Sequence, residues 1–412
     1  MIRLRHLLAL SACLWAGLGW AAPIGEGGAR HLLERTGFGA PSAQVVEFSR
    51  LDRRQAVERL LNGNARGLQS APPAIPYERP GRLRTLSDAE RKEAQQEMFR
   101  QGAAMRAWWA GEMLRAATPQ DALRERMTLF WHNHFVSSQQ KVKSGTLMLR
   151  QNELLRRHAL GNFSVLLHAV SKDPAMVIYL DNATNRKASP NENFAREVME
   201  LFTLGEGKYS EQDVKEAARA FTGWSLAPEA GEFLWRPAIH DDGVKTVLGR
   251  TGNFDGDAVL DIILIQPATA EFIARKLWRE FVSLTPEPGE VRRIAAALRG
   301  AGYETTAALR AILLSDAFWS PANRGALVKA PVDFVIGTLR TLNVDVPDSL
   351  PIVFVLRNLG QDLFAPPNVR GWPGGEAWIN STTLLARKQF VDRLLRAEEM
   401  PQARRVLREE LG

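Results

Sequence analysis

Apolar positions recur at helical spacing along nearly the whole chain. Leu32 and Leu33 mark a short helix that stops at Gly37-Phe38-Gly39, and Ser42 restarts one toward Leu61. Four prolines between Ala71 and Pro80 interrupt the pattern with an extended excursion over 63–84. The capping box of Ser87 and Glu90 then opens a long helix through Met98, Met105, Trp108, Trp109 and Leu114. Thr118 and Asp121 open the next, whose inner face is Leu123, Met127, Phe130, Trp131 and His134. Further helices follow Asn162 and Asp173. The pattern weakens from Ala227 to Val247, where a hairpin around Phe233, Leu234 and Trp235 fits, and Asp255 and Asp257 mark a turn and N-cap. Helical spacing returns over 259–265, 269–281, 290–298, 305–314, 331–342 and 351–359, and amphipathic helices from Leu384 and from Gln402 close the chain. The pattern predicts an all-α protein: a multi-helix array over 23–412, forming one domain, with one irregular insert or small hairpin around 227–250.

The densest run of ionisable residues lies between Ser189 and Trp224. Ser189 and Glu192, with Pro190 between them, read as a capping box, and Gly205 as a stop, so a helix is expected from about 190 to 204. Phe194, Ala195, Val198, Met199, Leu201 and Phe202 share one face; Glu192, Asn193, Arg196, Glu197 and Glu200 share the other. Asn193, Glu197 and Glu200 can converge on one point, and Arg196 can pair with Glu192 and Glu200. The arc is either a solvated face laced with ion pairs or, if it faces a cleft, a carboxylate pair fit for acid/base work or metal binding. A second helix is expected from the Ser210 and Asp213 box to Thr222.

Composition narrows the chemistry. A basic n-region (Arg3, Arg5, His6), an apolar run from Leu7 to Trp20 and small residues before Ala21 and Ala22 read as an export signal over 1–22, so the mature chain is expected in the periplasm or medium, with no transmembrane span. Cys13 is the sole cysteine. It stands in a lipoprotein-like box with too little apolar sequence before it, and without it the chain has no thiol chemistry. The formal charge of +7 is dispersed through the helices, which gives no support to a nucleic-acid module.

Three other places carry candidate chemistry. On a continuous helix His132 and His134 of FWHNHF point to opposite sides; only if the helix unwinds can they ligate one ion, with Glu197 a further candidate ligand. The loop with His240, Asp241 and Lys245 groups a base, acids and a cation. Trp224, Trp372 and Trp378 either pin the backbone or stack on sugars, the last two on the rigid segment FAPPNVRGWPGG. The sequence carries no phosphate-cradling Gly-rich motif, no G-x-S-x-G elbow and no H-E-x-x-H, and leaves the cofactor unknown.

HLLERTGFG, FWHNHF, KDPAM, YLDN, PNENFAREVMELFTLGEGKYSEQDVKEAARAFTGW, HDDGVK and LGQDLFAPPNVRGWPGG occur in an order that resembles the bacterial family called Domain of Unknown Function 1800, from about Ala29 to Asp392. The resemblance implies an exported, predominantly helical protein and, as a partner, an exported protein of the Domain of Unknown Function 1501 family. It carries no established reaction. Two functions fit: an envelope accessory or interaction protein acting with that partner, or a hydrolase-like enzyme built on Glu197, Glu200, His132 and His240, with Asn193, Arg196, Asp241, Lys245, Trp224 and Trp372 as binding residues.

Overall fold

Side-chain caps set where many helices begin. A computed structural model describes residues 22–79 and 85–396; the expected export signal up to residue 21, Cys13, the end of the expected excursion and the helix expected from Gln402 lie outside them. Among the described residues the chain is predominantly helical, with nineteen α-helices and two two-stranded sheets. The first helices are α1 (Gly25–Thr36), α2 (Ser42–Ser49) and α3 (Arg53–Asn62). Reciprocal capping boxes open α4 (Asp88–Arg115) at Ser87 and α5 (Pro119–His134) at Thr118. After them come α6 (Gln139–Val142), α7 (Gly145–His158), α8 (Phe163–Ser171) and α9 (Pro174–Tyr179).

Helix α5 is buried on nearly every side from Asp121 to His134, because α1, α3, α4 and α7 all pack against it. Its polar residues therefore need internal partners. Glu125 receives both Arg156 (2.6 and 2.9 Å) and the Trp109 indole (2.9 Å). Asp121 and Glu112 accept backbone N–H groups from the excursion, at Arg66, Gly67 and Gln69. Since an extended proline-rich segment has no ladder of its own, these carboxylates hold it down. Buried Arg340 donates to the carbonyls of Leu114 (2.8 Å) and Ala116 (3.0 Å), closing the C-terminal end of α4.

The central stretch departs from expectation. Asn191, not Ser189, is the N-cap, and α10 (Glu192–Glu197) starts there; Ser189 instead closes a tight turn with Arg186. From Val198 to Thr203 the helix widens to a π-turn, with Leu204 N–H donating to Met199 O at 2.9 Å. The Ser210 box opens α11 (Glu211–Ala220) as expected. The hairpin is present as β1 (Trp224–Ala227) with β2 (Glu232–Trp235), Trp224 facing Trp235, and a second hairpin, which the sequence pattern did not indicate, pairs β3 (Lys245–Val247) with β4 (Arg250–Gly252).

Asp255 caps α12 (Gly256–Leu264), followed by α13 (Pro267–Phe281), α14 (Pro288–Gly300), α15 (Thr305–Leu313) and α16 (Asp316–Trp319). Then come α17 (Pro331–Thr341), α18 (Leu350–Asn358) and α19 (Ser381–Arg396). One continuous apolar core runs from Ala29 to Leu394.

Candidate functional site

A cleft of about 340 Å³ opens where α1, α5 and α13 meet the segments 325–333 and 370–378. The chain turns sharply at Gly39, whose φ of +75° brings it against Gly337 of α17, so Phe38 is delivered to the cleft wall. On the other side the 370–378 loop is tied to α5. The Trp372 N–H donates to Oδ1 of Asn133 (2.7 Å), and Gly371, at φ +84°, leaves no room for a side chain beside Asn133. Thus HLLERTGFG, FWHNHF and NVRGWPGG, far apart in sequence, line one cavity.

Six basic side chains line it, Arg35, Arg126, Lys276, Arg279, Lys329 and Arg370, against the acids Glu34, Glu280 and Asp333. Most find partners. Arg126 pairs with Asp333 and stands 2.7 Å from Glu280. Burial would lower its pKa, but the two carboxylates outweigh burial and raise it. For Glu280 burial wins over Arg126, and its pKa rises. Arg370 pairs with Glu200 at 3.2 Å, Lys329 lies 3.8 Å from Glu34, and Arg35 donates to the Asn323 carbonyl.

Lys276 and Arg279 are different: neither has an ion-pair partner among the described residues. The Lys276 ammonium sits 5.3 Å from the Phe272 ring, and burial, then Arg279, pushes its pKa down to about 8.

Two residues of the same walls also carry a polar atom that is sealed inside the protein and unmatched. His134 donates from Nε2 to the Phe202 carbonyl (3.0 Å), which fixes its tautomer and leaves Nδ1 as a bare acceptor without a partner among the described residues. Burial keeps this imidazole neutral, its pKa well below the usual value. Nε1 of Trp372 is a donor equally unmatched. His31 is also neutral, burial lowering its pKa to about 4 while Nε2 meets the Phe318 carbonyl.

The residues singled out from sequence are dispersed. Arg196 pairs with Glu192 (3.1 Å) but takes Glu211 (2.7 Å), not Glu200, as its second partner, since the π-turn re-aims Glu200. Glu200 instead receives the Tyr209 hydroxyl (2.8 Å) and Arg370. Half-buried Glu197 has no hydrogen-bond partner among the described residues, and burial, then the Glu200 charge, raises its pKa. Asn193 is occupied by the Leu180 carbonyl (3.2 Å).

Helix α5 stays continuous, so His132 and His134 point apart. His132 is enclosed by Trp109, Phe364 and Trp372, and burial lowers its pKa to about 3. Among the described residues no three His, Cys, Asp or Glu side chains gather as metal ligands, so His132, His134 and Glu197 form no such set. His240 bonds the Thr222 carbonyl (2.8 Å) and packs on Trp235; no contact links it to Glu197, Glu200 or His132. Asp241 is held by Arg219 (2.7 Å), and the Lys245 ammonium caps the carbonyls of Asp241 (2.5 Å) and Gly243 (2.9 Å), so this loop ties itself together. Trp224 is enclosed by Phe194, Phe221 and Phe233 and presents no open ring face, whereas Trp372 and Trp378 do line the cleft.

Sequence reasoning passed over Arg35, Arg126, Lys276, Glu280 and Asp333. For Arg126 a signal existed: it shares the inner face of α5 with Leu123 and Phe130, where a charge needs a buried partner. Lys276 gave none, resembling any lysine beside the apolar stripe of Ile273, Leu277 and Phe281.

Fold and cleft together define a large helical protein with a polar, cation-rich interhelical pocket. The family model described as "Protein of unknown function (DUF1800)" matches residues 31–411, and the chain belongs to that family. No curated protein and no solved structure matches it. No described helix is long and apolar enough to cross a membrane.

Proposed function

We propose that this is an interaction protein of the cell envelope whose cleft captures a negatively charged group presented by its ligand or partner. The observation that carries the reading is the pair Lys276 and Arg279, cations without a carboxylate in a cleft whose other basic groups are largely matched. Lys276 is partly buried, so its ammonium without a counter-ion carries a desolvation cost that a bound anion offsets, while exposed Arg279 adds attraction at the rim. If residues 1–22 act as an export signal, an exported partner is available to the mature chain, and the Domain of Unknown Function 1501 family is the candidate implied by the resemblance. Calorimetric titration with acetate and with phosphate tests the cleft: binding is expected, weakened roughly tenfold by Lys276→Met. Equal binding by wild type and variant sinks the reading.

A second reading, a hydrolase-like enzyme, is favoured by Glu197 and Glu200. One carboxyl is half-buried, unpartnered and of raised pKa, and the other receives Tyr209 and Arg370. Two neighbouring carboxyls in unlike surroundings suit an acid and a base. On this reading Glu197→Gln removes turnover at unchanged melting temperature. An equal loss of stability would mark the pair as structural.

A further inference from the structure

Outside the cleft, α8 and α12 meet through four ionisable side chains set at matching intervals. His168 and Lys172 stand one turn apart at the end of α8, and Asp257 and Asp261 one turn apart on α12. The His168 ring bridges the two carboxylates: Nδ1 is 3.0 Å from Oδ1 of Asp257, and Nε2 is 3.0 Å from Oδ1 of Asp261. The Lys172 ammonium donates to the other oxygen of Asp257 at 2.7 Å. We propose that this cluster is a pH-operated clasp, in which the protonated imidazole ties α12 to α8 and loss of its proton in alkali loosens α12.

A neutral imidazole has one N–H, so it can donate to one carboxylate and must turn a lone pair toward the other. Only the imidazolium serves both. The charges agree: two carboxylates meet two cations while the proton is present, and one when it is gone. The helices favour the same state. His168 lies in the last turn of α8, where free carbonyls support a cation, and Asp257 in the first turn of α12, where free N–H groups support an anion. The bond to Asp257, against burial and with help from Asp261, raises the pKa of His168, and the His168 bond in turn lowers that of Asp257.

The neighbouring charges have other partners. On α7, Arg156 is held by Glu125, while Glu153 and Arg157 line a separate cavity beside Glu112. Tyr179 of α9 lies under Lys141, Arg219 of α11 is held by Asp241, and Arg275 of α13 stands 3.7 Å from Glu271. Glu200 on the π-turn receives Tyr209, and Asp255 caps its own helix at Ala258. The clasp holds more than two helices. Gly256 is seated so closely on Trp224 that a side chain there would collide with the indole, and Lys172 covers the same ring at 5.4 Å and Phe233 at 5.8 Å. The hairpin β1–β2 is therefore joined to the same corner.

Because folding raises the pKa of His168, the clasp contributes fully below pH 6.5, and its contribution is lost as pH rises through the folded value. This is the opposite sense to that of buried, neutral His31.

The test joins NMR titration of the His168 ring to hydrogen exchange of α12. His168, assigned by the signal lost in His168→Gln, should carry both ring protons at pH 6 and titrate above the ordinary 6.5, and Asp261→Asn should lower that midpoint. Exchange of the α12 amides, corrected for intrinsic rate, should quicken roughly threefold relative to α14 between pH 6 and pH 9. His168→Lys, a cation over this whole range, should keep the pH 6 protection at pH 9. His168→Gln should show the faster exchange at both. A ring that titrates at or below 6.5 overturns the proposal, since folding then does not favour the imidazolium. A raised midpoint with α12 exchange unchanged by pH or by His168→Gln also overturns it, the cluster then being an ion pair that fastens nothing.

Discussion

The acidic arc of α10 and the cleft beside α13 are both crowded with charge, yet they are solved differently. On the arc, Arg196 has two carboxylates and Glu200 has both a hydroxyl and an arginine, leaving Glu197 alone unpartnered. In the cleft, Arg126 is similarly matched, but Lys276, Arg279, Nδ1 of His134 and Nε1 of Trp372 are not. Density of ionisable residues thus marks where a chain pairs its own charges. In the cleft, folding leaves more of the polar groups unmatched than on the arc.

That contrast can be broken at its strongest point by Arg126→Leu. Removing this guanidinium takes from partly buried Glu280 and Asp333 the cation they both pair with, and a loss of about 3–5 kcal/mol is expected in urea unfolding. A loss below about 1 kcal/mol would mean the cleft floor is not held by this cluster.

Acid should produce the next effect. His31 has its pKa lowered to about 4 from the ordinary 6.5, so the unfolded chain binds the proton first. Its contribution is intact above pH 6.5 and is lost as pH falls toward 4, up to about 3 kcal/mol from this shift. His134, lowered in the same sense, adds to the slope. A His31→Asn protein should lose part of that slope in pH-dependent melting; an unchanged slope would show that the histidine is not neutral when folded.

Arg196→Ala should matter least, below about 1 kcal/mol, because its partners are exposed enough for water to compete. A loss as large as that of Arg126→Leu would erase the distinction between the two regions.

The order of helices was legible because their starts are written locally. Thr118 with Asp121 and Ser210 with Asp213 cap where the spacing says they should. Ser189 with Glu192 satisfies the same spacing and fails, because Asn191 lies nearer the helix and takes the orphan N–H of Asn193 first. The π-turn was hidden, since nothing in VMELFT fixes whether Leu204 bonds to Glu200 or to Met199. The cleft was legible only in pieces. Asn133, His134 and Trp372 stood out as motif residues, but their meeting with Lys276 depends on contacts across the chain that no local spacing encodes.

The wide turn between Val198 and Thr203 also sets an angular phase. An α-helix advances about 100° per residue, so one residue fewer in this turn would rotate its flanks against each other by about that angle. Glu197 and Phe194 would keep their direction only if Phe202 and Leu204 gave up theirs. The carbonyl of Phe202 is the one that fixes the His134 tautomer, so a single deleted residue upstream would swing that carbonyl away and free the imidazole to change which nitrogen carries its proton. Chain length inside one helical turn thereby governs the protonation pattern of a ring on another helix.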